Sequence, residues 1–166
     1  ENGIEATFSG IIAEPDSENN LCSRAYHLLK QHFPELPPVR YHLHKAIPSG
    51  AGLGGGSADA SFMLKMLCEL FGLEISADTL SEIALLLGSD CPFFLHNKPV
   101  LAEGRGELLR FCEVDLSGYD IFVVNPGIHV STKKAFALIE PSLPEIHLAE
   151  LIDLPVEKWN GTILND

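Results

Sequence analysis

The apolar positions of the chain fall into short periodic stretches separated by glycine, proline and asparagine. β-Branched and aromatic residues concentrate in residues 4–12, and Pro15-Asp16 closes the run, which predicts a strand. Asn19 or Asn20 then caps a predicted helix that carries Leu21, Ala25, Leu28 and Leu29 on one face and ends before Pro34. Pro37-Pro38 separates it from a second predicted strand, residues 39–47. A glycine-rich stretch, residues 50–56, leads into a helix predicted to start at Ser57. Its buried face is expected to hold Met63, Met66, Leu67 and Leu70, with Gly72 just past its end.

Periodicity resumes at Ser76, where Leu80, Ile83, Ala84 and Leu87 share a helical face that stops at Gly88. Short strands are predicted at residues 92–96, 99–102, 108–111 and 121–124. A last helix spans about residues 132–139, halted by Pro141. The tail from Ser142 is proline-punctuated and reads as a connector with a short helix around residues 147–152. Helices and strands are mixed rather than regularly alternating, so the fold class is α+β and not a doubly wound sheet.

Composition narrows the function. The 166 residues carry 11 Lys+Arg against 23 Asp+Glu, a formal net charge of −12, which excludes a broad nucleic-acid-binding surface. It does not exclude a local anion pocket, because backbone amides bind phosphate whatever the net charge. Hydrophobic residues make up 46% of the chain, enough for a core. The longest uninterrupted aliphatic run, residues 83–87, falls far short of the ~20 residues a membrane span requires. Cys22, Cys68, Cys91 and Cys112 lie far apart, with neither a CxxC pair nor the His spacing of a zinc site, and read as reduced thiols of a cytoplasmic protein.

The strongest chemical signal is Pro48-Ser-Gly-Ala-Gly-Leu-Gly-Gly-Gly-Ser-Ala-Asp-Ala-Ser61. Gly50, Gly52, Gly54, Gly55 and Gly56, entered from a strand and opening a helix, suit a loop that must let a ligand approach the backbone closely. The amides of Gly54 to Ala58, unpaired at the helix start and at the positive end of its dipole, would form an anion site for a di- or triphosphate. The bland reading is a glycine-rich turn with Ser57 as a plain cap. A Walker A loop is excluded, since no Gly-Lys dipeptide occurs. Gly50 to Gly55 matches GxGxxG, but Glu74 and Asp78, where a dinucleotide fold wants an acidic strand end, introduce a helix instead. The protein-kinase version lacks its HRD and DFG triplets.

This segment resembles the phosphate loop of the GHMP small-molecule kinases. Asn20-Leu21, Leu87-Gly-Ser-Asp-Cys-Pro-Phe93, Ala102-Glu-Gly-Arg-Gly-Glu107, Asn125-Pro-Gly127 with Ser131-Thr132, and Leu164-Asn-Asp166 are similar to the same family, in its order and over nearly the whole chain. Homoserine and mevalonate kinases usually show a GLGSSA core. The triple glycine before Ser57-Ala58-Asp59 points instead to the branch that phosphorylates a cytidyl-diphosphate sugar alcohol. A homoserine- or sugar-type kinase of the same family, or a non-catalytic nucleotide-binding module, are the alternatives.

The resemblance implies a ribosomal protein S5 domain 2-like N-terminal domain followed by a ferredoxin-like one, with ATP and Mg²⁺ at the glycine loop and the small-molecule substrate between the domains. It assigns Asn20, Leu21 and Lys45 to the adenine pocket and Pro48, Gly50, Gly52, Leu53, Gly54, Gly55, Gly56, Ser57 and Ala58 to the phosphate loop, with Ser57 near Mg²⁺. Asp90 becomes the catalytic aspartate that accepts the nucleophile's hydroxyl proton, and Asp90, Thr132 and Phe136 face the substrate. Read without the family, Asp90 is a turn residue before a strand, Lys45 a surface lysine and Phe136 a core residue. Arg105 is either a hairpin-tip charge or a pocket-edge phosphate contact. His42 and His44 share a strand face and, without a third ligand, read as ordinary strand residues.

Two departures from the family shape the expectation for the chain. No Pro-x-Lys-x-Asn segment, which supplies an active-site lysine in the family, occurs in residues 1–166, and the chain stops where a second domain would begin. The expectation is an internal fragment with little or no activity of its own. Residues 1–140 would be the ATP-binding domain without its first strands, and residues 141–166 a connector into the C-terminal domain.

Overall fold

Two seven-residue strands set the frame. In the computed structural model, β1 (Ile4–Gly10) and β2 (Val39–Lys45) pair in parallel, Ile4 opposite Val39 and Gly10 opposite Lys45. Parallel neighbours need a crossover, and α1 (Leu21–His32) provides it. Residues 3–11, 19–48, 50–124, 128, 135, 137–140 and 146–163 are described. Two compact units, Glu1–Arg110 and Phe111–Asp166, divide the chain.

In the first unit, α2 (Gly55–Phe71) and α3 (Ala77–Leu87) pack with α1 around a core whose centre is Ala25, Leu29, Ala60, Leu64, Leu67, Ile83 and Ala84. Burying each of the large aliphatic side chains contributes about 1.5–3 kcal/mol. Tyr41 and Leu43 of β2 pack against this core, while His42 and His44 face away from it. Gly72 takes the left-handed conformation just past α2, as its place in the sequence predicts. The predicted buried face of α2 is rotated, however. Met66 and Leu70 are 47% and 67% exposed, and Leu64 is buried instead. Met63, Leu64 and Leu67 follow the helical period with Ala60 and Ser61, a stripe the small residues disguise in the sequence.

The larger correction lies after Gly88. The predicted strand at 92–96 is a helix, α4 (Cys91–His96), with Asp90 at its cap and Pro92 in its first turn. Proline suits that position because a first-turn amide has no intrahelical partner to lose. Two phenylalanines outweighed that signal in the sequence. β3 (Val100–Glu103) and β4 (Leu108–Phe111) form the predicted hairpin.

In the second unit the expected strand at 121–124 is absent, and Phe122 and Val124 are 90% and 85% exposed. Apolar β-branched residues favour a strand only where a neighbour pairs with them, and no described strand does so here. The short helix α5 (Leu148–Leu151) forms where predicted and buries Leu151. Of the helix expected at 132–139, residues 132–134 and 136 lie outside the described residues, and residues 137–139 are turn and irregular backbone rather than helix.

Candidate functional site

The glycine-rich loop enters α2 two residues earlier than its serine suggests. Gly54, not Ser57, is the cap residue; it has φ +65° and no side chain to cap with. Gly50 and Gly52 share this left-handed backbone, at φ +73° and +72°. A Cβ on Gly54 would also lie 2.8 Å from Cζ of Phe94, so both backbone and space demand glycine. Ala58 N–H donates to Gly54 O at 2.9 Å, which removes Ala58 from the expected set of free amides. The first-turn amides of Gly55, Gly56 and Ser57 are left without intrahelical partners, at the positive end of a 17-residue helix. That arrangement suits a phosphate group.

One flank of this helix start is built by α1 and the end of β2. Asn20 caps α1 through its side-chain oxygen, which accepts from Cys22 N–H at 2.9 Å. A Cβ on Gly56 would meet Leu21 Cδ1 at 3.6 Å, and one on Gly55 would meet Ile47 Cγ2 at 2.9 Å and Lys45 Nζ at 3.6 Å. Leu21 and Lys45, 24 residues apart in sequence, therefore both lie beside the glycine loop, and Asn20 precedes Leu21 as the cap of α1. Lys45 is not the surface lysine of the bland reading. It is 8% exposed, and its ammonium is ion-paired with Asp59 on the second turn of α2. Burial pushes the nearby Cys22 thiol up to about 12, with Asp59 adding to the rise and Lys45 opposing it. A thiol at a helix start is often activated; this one is silenced by burial.

The other flank holds Asp90. It caps α4 by position, with φ −84° and ψ −13°, yet its carboxylate makes no capping hydrogen bond and is exposed. Leu53 and Gly54 from the glycine loop, Ser89, Asp90, Phe93 and Phe94 from the start of α4, and Val100, Ala102 and Gly106 from the hairpin line one pocket of about 290 Å³. Gly106, at φ +113°, lies so close under Ser89 that a Cβ would come within 2.2 Å of its carbonyl oxygen. Arg105 stands at the exposed tip of the hairpin, its amide donating to Glu107 Oε2 at 2.7 Å.

Beneath the pocket the two helix starts are tied together. Ser61, fully buried, donates to Ser57 O at 2.8 Å and to Cys91 O at 2.9 Å. The Cys91 thiol is raised by burial, against hydrogen bonds to the Ser57 and Ser61 side chains. His42 and His44 are joined through Ser9, whose hydroxyl lies 2.8 Å from His42 Nε2 and 2.9 Å from His44 Nδ1. Among the described residues no group of three or more His, Cys, Asp or Glu side chains could hold a metal ion. Thr132 and Phe136 lie outside the described residues, as does Ser49 of the loop.

Sequence reasoning missed Asp59, Phe94 and Ser61. Phe94 and Ser61 had no signal beyond their place in the motifs, because their roles depend on which helix face meets which.

Residues 20–98 match the family model described as GHMP kinases N terminal domain. The chain is 48% identical over 158 residues to 4-diphosphocytidyl-2-C-methyl-D-erythritol kinase of Bacteroides fragilis, covering 95% of this chain and 57% of that protein. It is 45% identical over 160 residues to the enzyme of the same name from Parabacteroides distasonis, covering 96% and 59%. The crystal structure of a 4-(cytidine 5'-diphospho)-2C-methyl-D-erythritol kinase superposes with a TM-score of 0.64 at 31% identity, over 83% of this chain and 47% of that one. The chain thus spans a little over half the length of the curated relatives it matches.

Proposed function

We propose, from the similarity to the GHMP kinase model and to the kinases above, that the protein is a GHMP kinase and transfers the γ-phosphoryl group of ATP to the 2-hydroxyl of 4-diphosphocytidyl-2-C-methyl-D-erythritol, a step of non-mevalonate isoprenoid biosynthesis. The observation that carries this reading is one pocket shared by the start of α2 and by Asp90. Phosphoryl transfer asks for charge stabilisation of the moving group and for a base aligned with the attacking hydroxyl. The amides of Gly55, Gly56 and Ser57 supply the first. Asp90, whose carboxylate makes no cap bond, supplies the second.

Asn20, Leu21 and Lys45 flank the base of the nucleotide, with Asp59 holding the Lys45 ammonium in place. Pro48, Gly50, Gly52, Leu53 and Gly54 wrap the phosphates, and Thr132 and Phe136 serve the substrate side. Mg²⁺ is proposed to arrive on the phosphates of ATP, with Ser57 as its nearest protein oxygen.

The test is ADP release by the full-length protein with and without 4-diphosphocytidyl-2-C-methyl-D-erythritol. Release that depends on this alcohol is the expected result. Its absence, with ATP bound and the protein folded, would overturn the substrate assignment in favour of another acceptor alcohol or a non-catalytic nucleotide-binding role.

A further inference from the structure

Ser61 contributes nothing to the pocket wall, yet its hydroxyl bonds the first turns of α2 to the first turn of α4. Its hydroxyl bond to Ser57 O, one turn back along α2, is common for a serine inside a helix and by itself says only that the hydroxyl found a local partner. The second bond, 2.9 Å to Cys91 O, crosses 30 residues of sequence to the residue after Asp90. Both acceptors are helical carbonyls placed to accept from amides of their own helices, so the serine is not needed to satisfy them. What the forked bond adds is a fixed distance between α2, which presents the phosphate-binding amides, and α4, which presents Asp90. One other side chain of α2 bonds α4 among the described residues, Lys65 Nζ to Leu95 O at 3.2 Å, but near the far end of α4 from Asp90.

We infer that Ser61 is a positioning residue for phosphoryl transfer: its hydroxyl sets the spacing between the glycine-loop amides and Asp90, without touching ATP or the acceptor. This rests on the kinase reading above. Proton transfer to Asp90 and stabilisation of the moving phosphoryl group must occur together, and misplacement by about 1 Å costs up to ~100-fold. Nucleotide binding needs only the α2 side and the adenine flank, so it does not share that sensitivity.

The experiment uses the full-length protein and three variants, with turnover read against ATP concentration. Ser61→Ala is expected to lower kcat about tenfold while KM for ATP stays within about twofold. Ser61→Thr, which keeps the hydroxyl, is expected to recover most of that loss. Ile83→Val, a core change in α3 that leaves the forked bond's partners intact, controls for stability and should leave kcat unaltered. A Ser61→Ala kcat within about twofold of the parent's overturns the inference, as does an equal fall in Ile83→Val at the same folded fraction.

Amide hydrogen exchange on the same samples needs no turnover. Faster exchange across residues 88–92 in Ser61→Ala, with α3 unchanged, supports the coupling even if the parent proves to phosphorylate a different alcohol or none. Unchanged exchange there overturns it, whatever the parent's activity and however well the threonine variant folds.

Discussion

α1 and α3 begin in one way, α2 and α4 in another. Asn20 and Ser76 sit in extended backbone and turn their side-chain oxygens onto the amides of Cys22 and Thr79. Each of these helices closes its own first turn. Gly54 has no side chain to offer, and Asp90 has a carboxylate that makes no cap bond. The first pair buries core residues behind a finished end, whereas the second pair opens onto one pocket. Within this chain, then, the two helix starts that leave amides or a carboxylate uncommitted are the two that meet at the pocket, while α1 and α3 satisfy their own first turns.

Substitutions at the four caps can break that distinction. The largest effect is expected at Asp90. Asp90→Asn should lower kcat by ~10²–10⁴-fold, the usual contribution of a positioned base. Its melting temperature and ATP affinity should stay close to the parent's, because no cap bond is lost. A marked fall in melting temperature would show that the carboxylate supports α4 after all.

Next comes Gly54→Ala. The left-handed backbone disfavours alanine by about 1–2 kcal/mol, and its methyl would press on Phe94 at 2.8 Å. Relieving both moves the loop, so ATP should bind about tenfold more weakly by titration calorimetry, a shift of ~1.4 kcal/mol. Unaltered affinity would mean that phosphate does not rely on this turn. The smallest effect belongs to Ser76→Ala. Loss of its cap should cost about 1 kcal/mol in denaturant unfolding, with kcat unchanged. A kcat effect there would erase the line between the two kinds of helix start.

Where local chemistry decides, the sequence was legible. Asn20, Ser76, Gly72 and Gly88 mark helix ends correctly, because cap preferences act within a few residues. The glycine loop could be read as a tight turn into a helix start from its glycines and its place after a strand. The start of α2 was misplaced by two residues because serine is the usual cap and glycine the rarer one, so Ser57 drew the boundary to itself. Asp90 before a strand was wrong for a related reason: Phe93, Phe94 and Leu95 read as β-forming, while Pro92 pointed to a helix start.

Lys45 could not be placed from the chain alone. Whether a lysine ending a strand lies in water or against a carboxylate depends on the crossing of β2 and α2, which no local pattern encodes. The same holds for Ser61, whose partner stands 30 residues away.

The contact of Gly106 with Ser89 bears on how this surface tolerates change. Hairpin tips are ordinarily where a chain accepts extra residues, tags or protease sites most readily. Here the tip, residues 104–107, rests on the carbonyl next to Asp90 through a glycine that has no room for a methyl group. Its length is therefore set by the pocket and not by the hairpin. An insertion in this turn belongs with lesions of the pocket, although every residue of the tip except Gly106 is exposed to solvent.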